Sequence, residues 1–179
     1  MAADSQQQRQ RTILAEGKFL RLVNDNGWEY AERANSSGVV AVIATTDAGQ
    51  LVLTEQYRPA VCQNVIDLPA GLAGDIAGEE DEALSRAAWR ELVEETGFEA
   101  DGMTELFTGP PSAGMSSEQV TFFRAGRLTR VHDGGGDHSE DITVHLVPVE
   151  TAREWLIERA GPDRSIDPKA FAGLYFARQ

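Results

Sequence analysis

Arg90-Glu91-Leu92-Val93-Glu94-Glu95 is the stretch whose composition and spacing point to chemistry. In a helix, positions 91, 94 and 95 stand at i, i+3 and i+4, which is one face. Carboxylates gathered there repel one another by a few tenths of a kcal/mol per pair on an open surface, and by more in a cleft of lower dielectric. A hard divalent cation removes that penalty, and a set of oxygen ligands suits Mg²⁺ or Mn²⁺. Arg90 can reach back and hold one of the acids by a charge-assisted bond. A bare run of glutamates is more often a solvated helix face, so the surroundings decide. Here the helix ends at Gly97 and follows a strand that stops at Pro69-Ala70-Gly71. A glycine-rich loop joins the two and can bring a backbone carbonyl beside the helix as a further oxygen ligand.

The elements that must hold this face can be read on either side. Residues 81–96 are rich in Ala, Leu, Glu and Arg, with Leu84, Ala88 and Leu92 as a buried stripe at helical spacing. Glu82 and Arg86 form an i,i+4 pair of favourable orientation. Upstream, 18–23 and 28–33 predict two strands joined at Asn24-Asp25-Asn26-Gly27, whose residue types tolerate φ > 0. Asn35-Ser36-Ser37-Gly38 breaks the pattern. Residues 39–45 form a nearly continuous apolar run, as in a buried strand, and 50–56 and 65–68 predict two more. Downstream, strands are expected at 104–108, 119–128 and 142–149, with a glycine-rich acidic loop at 132–141. A helix at 151–159 and another opened by Asp167-Pro168 close the chain. Strands mixed with a few helices predict an α/β sandwich rather than a doubly wound parallel sheet.

Composition sets outer bounds. The chain has 179 residues, 41% of them apolar and 25% charged, which suits one ordinary domain. No apolar run reaches the roughly 20 residues of a membrane span. The first eleven residues are polar and read as a frayed tail without a signal peptide, and the location expected is cytoplasmic. The single cysteine, Cys62, is read as a small packing residue rather than a nucleophile. A formal net charge of −13 argues against nucleic-acid and membrane partners. It also requires cations wherever a phosphorylated substrate is to bind.

Glu82, seven residues, then Arg90-Glu91-Leu92-Val93-Glu94-Glu95-Thr96-Gly97-Phe98 resembles the Nudix box, G-x5-E-x7-R-E-U-x-E-E-x-G-U, where U is a bulky apolar residue. From Glu82 to Phe98 the pattern is complete. The glycine expected six positions before Glu82 is replaced by Ile76, and Gly71 stands ten residues before Glu82 instead of five. The difference reads as a five-residue insertion in the loop. The resemblance implies a Nudix-type α/β/α sandwich with a mixed sheet over 38–179, and an N-terminal antiparallel β arm over 1–37 that serves dimerisation and base binding. It implies that Glu91, Glu95 and the Ala70 carbonyl bind two or three Mg²⁺ or Mn²⁺ ions, with Glu94 as a third ligand or a water-orienting group. Arg90 then orients a box glutamate, and Glu82 braces the helix.

Further marks resemble the branch acting on ADP-ribose and related nucleotide sugars. They are Leu53-Thr54-Glu55-Gln56-Tyr57-Arg58, followed by Asp67-Leu68-Pro69-Ala70-Gly71. By this likeness Arg58 contacts phosphate and Gly71 lies against the substrate. Ser139-Glu140-Asp141-Ile142 is similar to that branch's mobile catalytic loop, which makes Glu140 the candidate general base and Glu118 the second. In the arm, Trp28 is a candidate to stack on the base or, equally, to lie in the dimer interface, and Arg33 is a further substrate contact. Specialists for ADP-ribose carry a proline where this chain has Ala113, which points to broader activity on ADP-, GDP- or other nucleotide sugars. The activity implied is hydrolysis of a nucleoside diphosphate sugar by a homodimer, giving a nucleoside monophosphate and a sugar phosphate. Two rivals remain: a module that senses such ligands without turnover, and an isomerase of the same superfamily. The complete box argues against the first. The second would need a catalytic cysteine, and nothing around Cys62 supports one.

Overall fold

The computed structural model describes residues 10–74, 76, 78, 80–136 and 140–179. The tail at 1–9, Asp75, Ala77 and Glu79 of the loop before the helix, and 137–139, including Ser139, lie outside the described residues.

The chain runs through thirteen strands and three helices among the described residues. The arm is a three-stranded antiparallel sheet of β1 (Arg11–Glu16), β2 (Leu20–Asp25) and β3 (Trp28–Arg33). The β2–β3 turn has Asn26 at φ 53° and Gly27 at φ 90°, the left-handed pair that a two-residue hairpin needs. Residues 11–16, of which the first was read as tail, pair along β2 instead.

Two four-stranded sheets make the body. One is ordered β7-β4-β10-β9 and the other β12-β5-β6-β13. The first holds β4 (Gly38–Ile43), β7 (Ala70–Ala73), β9 (Met103–Gly109) and β10 (Val120–Ala125). The second holds β5 (Gln50–Arg58), β6 (Gln63–Asp67), β12 (Ile142–Pro148) and β13 (Arg164–Ile166). Pairing is mixed: β10 lies parallel to β4 and β13 parallel to β6, while the other pairs are antiparallel. A small ladder joins β8 (Phe98–Ala100) to β11 (Leu128–Arg130).

Alternation along β4 explains its unbroken apolar run. Val39, Ala41 and Ile43 pack into one core with Leu51, Leu53, Ile66 and residues of α2 (Ala152–Arg159) and α3 (Pro168–Ala177). Val40, Val42 and Ala44 pack into a second core with Ala87, Ala88 and Leu92 of α1 (Leu84–Thr96). Strand faces alternate with period two, so a strand between two helical layers must be apolar throughout. The result is the α/β/α sandwich expected from the sequence.

Three local readings change. The chain does not leave the sheet at Pro69-Ala70-Gly71, because Ala70–Ala73 pairs at once with β4 as β7. The helix starts at Leu84 rather than 81: Ala83 is extended, at φ −65° and ψ 136°, and no side chain caps the end. Cys62 is exposed rather than packed, at φ 54° in the turn after β5.

Candidate active site

The glutamate helix meets β7 edge-on, and Gly71 permits the contact. A Cβ at position 71 would sit 2.0 Å from Cδ of Glu91 and 2.2 Å from its Oε1. Only glycine lets that carboxylate lie against the strand. One turn on, Glu95 is 3% exposed and accepts the Ala70 N–H at 3.1 Å. Burial pushes its carboxyl well above the usual range, and the charges of Glu91 and Glu140 push the same way. The Ala70 N–H and the Arg58 guanidinium oppose them.

Arg90 organises the acids. It donates to Glu91 Oε1 at 2.9 Å, to Glu94 Oε2 at 3.2 Å and to the Leu72 carbonyl at 2.9 Å. It also reaches both oxygens of Glu82, at 3.3 and 3.1 Å. Glu82 therefore braces the helix from the extended stretch before it, with its side chain 1% exposed. Among the described residues no three acidic, histidine or cysteine side chains are gathered into a preformed metal centre. Arg90 draws Glu91 and Glu94 to itself, and the β7 backbone holds Glu95. The donor chemistry nonetheless suits a hard cation: the candidate ligands are all oxygens, and the buried Glu95 carboxyl has like charges around it.

A cleft of about 630 Å³ opens beside this helix. Arg33, Arg58, Ala70, Gly71, Glu91, Glu118 and Glu140 all line it, although they come from six separate stretches of sequence. The rest of the predicted set stands back. Arg90, Glu94 and Glu95 lie behind or beside the wall, and Glu94 is half exposed. Trp28 stands at the turn end of the arm, 62% exposed and away from this cleft. Five residues of strand separate it from Arg33, roughly 16 Å.

The two base candidates differ in their ties. Glu118 accepts Arg33 Nε at 2.5 Å, so two predicted site residues neutralise each other. Among the described residues Glu140 takes only a long contact of 3.4 Å, from Gln56 Nε2, and the other amide atom of Gln56, Oε1, is buried without a partner there. The loop before Glu140, read from sequence as Gly-rich and mobile, meets the helix end through two of its glycines: Gly135 N–H donates to Glu95 O at 2.8 Å and Gly136 N–H to Glu94 O at 3.1 Å. They satisfy carbonyls that the helix end leaves open.

Three charged residues of the cleft were not singled out from sequence as site residues: Asp67, Asp167 and Lys169. Burial raises the Asp67 carboxyl to about 6, with Lys169 opposing and Asp167 adding to the rise. Asp167 was legible only as a helix cap, and no local spacing connects it to Asp67.

The sandwich, the box helix over its glycine and the cleft can now be set beside known proteins. A model of the NUDIX domain matches residues 35–169. The chain belongs to the Nudix family. Among relatives of this Nudix chain, a "Methanol dehydrogenase activator" of Bacillus methanolicus is 31% identical over 68% of the chain and 64% of its own length. An "ADP-ribose pyrophosphatase" of Bacillus subtilis (strain 168) is 34% identical over the same shares. A "GDP-mannose pyrophosphatase" of Escherichia coli (strain K12) is 32% identical over 72% of the chain and 67% of its own length. The match thus spans 64% of the first two relatives, a little under two thirds of each. A solved structure titled "Crystal structure of ADP compounds hydrolase" superposes with a TM-score of 0.69, covering 94% of this chain and 90% of that one at 20% identity. That likeness bears on the fold alone.

Proposed function

We propose that this Nudix protein hydrolyses the diphosphate bond of ADP-ribose or a related nucleoside diphosphate sugar, giving a nucleoside monophosphate and a sugar phosphate. The observation that carries the reading is the Glu91 carboxylate seated on Gly71 in the cleft that Arg58 and Glu140 also line. Names borne by two relatives, ADP-ribose pyrophosphatase and GDP-mannose pyrophosphatase, support the substrate class. Ala113, in place of the specialist's proline, favours a generalist.

Glu91, Glu94, Glu95 and the Ala70 carbonyl would hold two or three Mg²⁺ or Mn²⁺ ions. Bound there, the metal neutralises the diphosphate and lowers the pKa of a water. The chain's own groups do the rest. Arg58 binds a phosphate oxygen. Arg90 keeps the box acids in register. Glu140 takes the proton from the attacking water as general base, because Glu118 is held by Arg33. The arm joins two copies and offers Trp28 to a base, and the location is cytoplasmic.

The test is a panel of ADP-ribose, ADP-glucose, GDP-mannose, UDP-glucose, NADH and diadenosine polyphosphates, with Mg²⁺ or Mn²⁺ and a chelator control. Metal-dependent monophosphate release from several nucleotide sugars is expected. Tight binding without release would favour a sensor and overturn the reading.

A further inference from the structure

The wall of the cleft built by β13 and the start of α3 takes no part in the chemistry above, yet its polar groups are tightly arranged. Lys169 Nζ lies 2.9 Å from Asp67 Oδ2 and 2.7 Å from Asp167 Oδ2, with its side chain only 18% exposed. The backbone fixes both acids. Leu68 N–H donates to Asp67 Oδ1 at 2.8 Å, and Lys169 N–H donates to Asp167 Oδ1 at 2.8 Å. An ammonium carries three donors. Two are committed here, and the third has no partner among the described residues. Each carboxylate oxygen can accept a second bond. Asp67, Asp167 and Lys169 all face the cleft, with Ser165 beside them.

Two acids against one ammonium make a wall unsuited to phosphate, since its net charge repels an anion. The diphosphate belongs instead toward Arg58, which lines the same cleft. What the wall does suit is a neutral group with adjacent hydroxyls. Such hydroxyls donate to a carboxylate and accept from an ammonium, and charge-assisted bonds of this kind are the stronger ones. A carboxylate reads a ribose diol in dinucleotide-binding folds for the same reason.

We propose that Lys169, Asp67 and Asp167 form the sugar-end subsite of this cleft and determine specificity by reading vicinal hydroxyls on the group attached to the distal phosphate. The proposal rests on the reading of the cleft as a nucleotide-sugar hydrolase site. A merely structural cluster would fasten α3 to β6 and be indifferent to what the substrate carries.

Two substrates separate these roles: ADP-ribose, and an ADP butyl ester with the same nucleoside diphosphate and no hydroxyls on the group attached to the distal phosphate. Lys169→Met keeps the stem and removes the donors. It is expected to raise KM for ADP-ribose by about tenfold to a hundredfold, to keep kcat within about threefold, and to leave kcat/KM for the butyl ester unchanged. Asp167→Asn preserves the helix cap and should shift the same substrate in the same direction. It decides the matter alone if Lys169→Met loses its cooperative melt. Equal losses on both esters, or no loss on either, would overturn the subsite. If the unmodified chain turns over neither of these two nor any nucleotide sugar of the panel above, the hydrolase reading itself fails and this proposal falls with it.

Discussion

A carboxyl that burial and neighbouring charges hold toward its protonated form, as at Glu95, costs the folded chain stability whenever it ionises. The sign follows from linkage. The folded value lies above the unfolded one, near 4.3 for a free glutamate. The contribution to stability is therefore present below that ordinary value and is lost as pH rises through the raised one. With chelator present, the melting temperature should fall as pH climbs past the ordinary carboxylate range. Glu95→Gln keeps an acceptor for the Ala70 N–H and removes the charge, so it should flatten that part of the profile and melt higher than the parent at about pH 8. The same change should lower turnover by about a hundredfold or more if Glu95 is a metal ligand. Thermal melts across pH and steady-state rates on the same samples check both halves. Near-normal turnover would sink the metal assignment.

The element that sets this geometry is α1 together with the loop docked on its end. Gly97 ends the helix in the left-handed region, at φ 72°, and donates to Val93 O at 2.8 Å. Gly134 stands at φ 75°, where a Cβ would sit 2.5 Å from the Thr96 carbonyl carbon. Gly134→Ala should cost about 1–3 kcal/mol by backbone strain and overlap, roughly 2–10 °C in Tm at this size. It should also loosen Glu140, lowering kcat. Gly102→Ala, with nothing within 4 Å of the added Cβ, is the control and should change stability by less than about 0.5 kcal/mol. Elements of this kind were legible where pattern was local. The apolar run of β4 and the periodic stripe of α1 announced themselves, and so did the glutamates riding on that stripe. What escaped depends on distant partners. All six residues of β1 are exposed, so no alternation marks it as a strand. Three-residue strands such as β8 and β13 exist only through their ladders. In the site, Arg33 finds Glu118 across 85 positions, and Lys169 meets Asp67 only because β6 and α3 share a wall of the cleft. No spacing rule reaches that far.

At the scale of the whole molecule, the arm carries a group of half-exposed apolar side chains. Leu20 and Leu22 share one face of β2 and are 51% and 41% exposed. Ile13, Leu14, Phe19 and Trp28 are each about half exposed or more. A three-stranded sheet with so little covered is marginal by itself, and an apolar surface of this extent marks a contact site. The homodimer proposed above would cover it, but each copy carries a formal charge of −13. Apolar burial and like-charge repulsion therefore oppose each other, and salt acts on them differently. Screening within a Debye length of about 10 Å at 0.1 M weakens the repulsion and leaves the apolar term standing. The dimer should accordingly tighten as NaCl rises from about 20 to 300 mM, the reverse of an assembly held by ion pairs. Leu22→Glu adds charge to the covered face without touching the cleft, and should give a monomer at micromolar concentration. Sedimentation velocity across the salt series checks both, and a dimer that loosens with salt would show that charge pairs rather than the apolar face hold it.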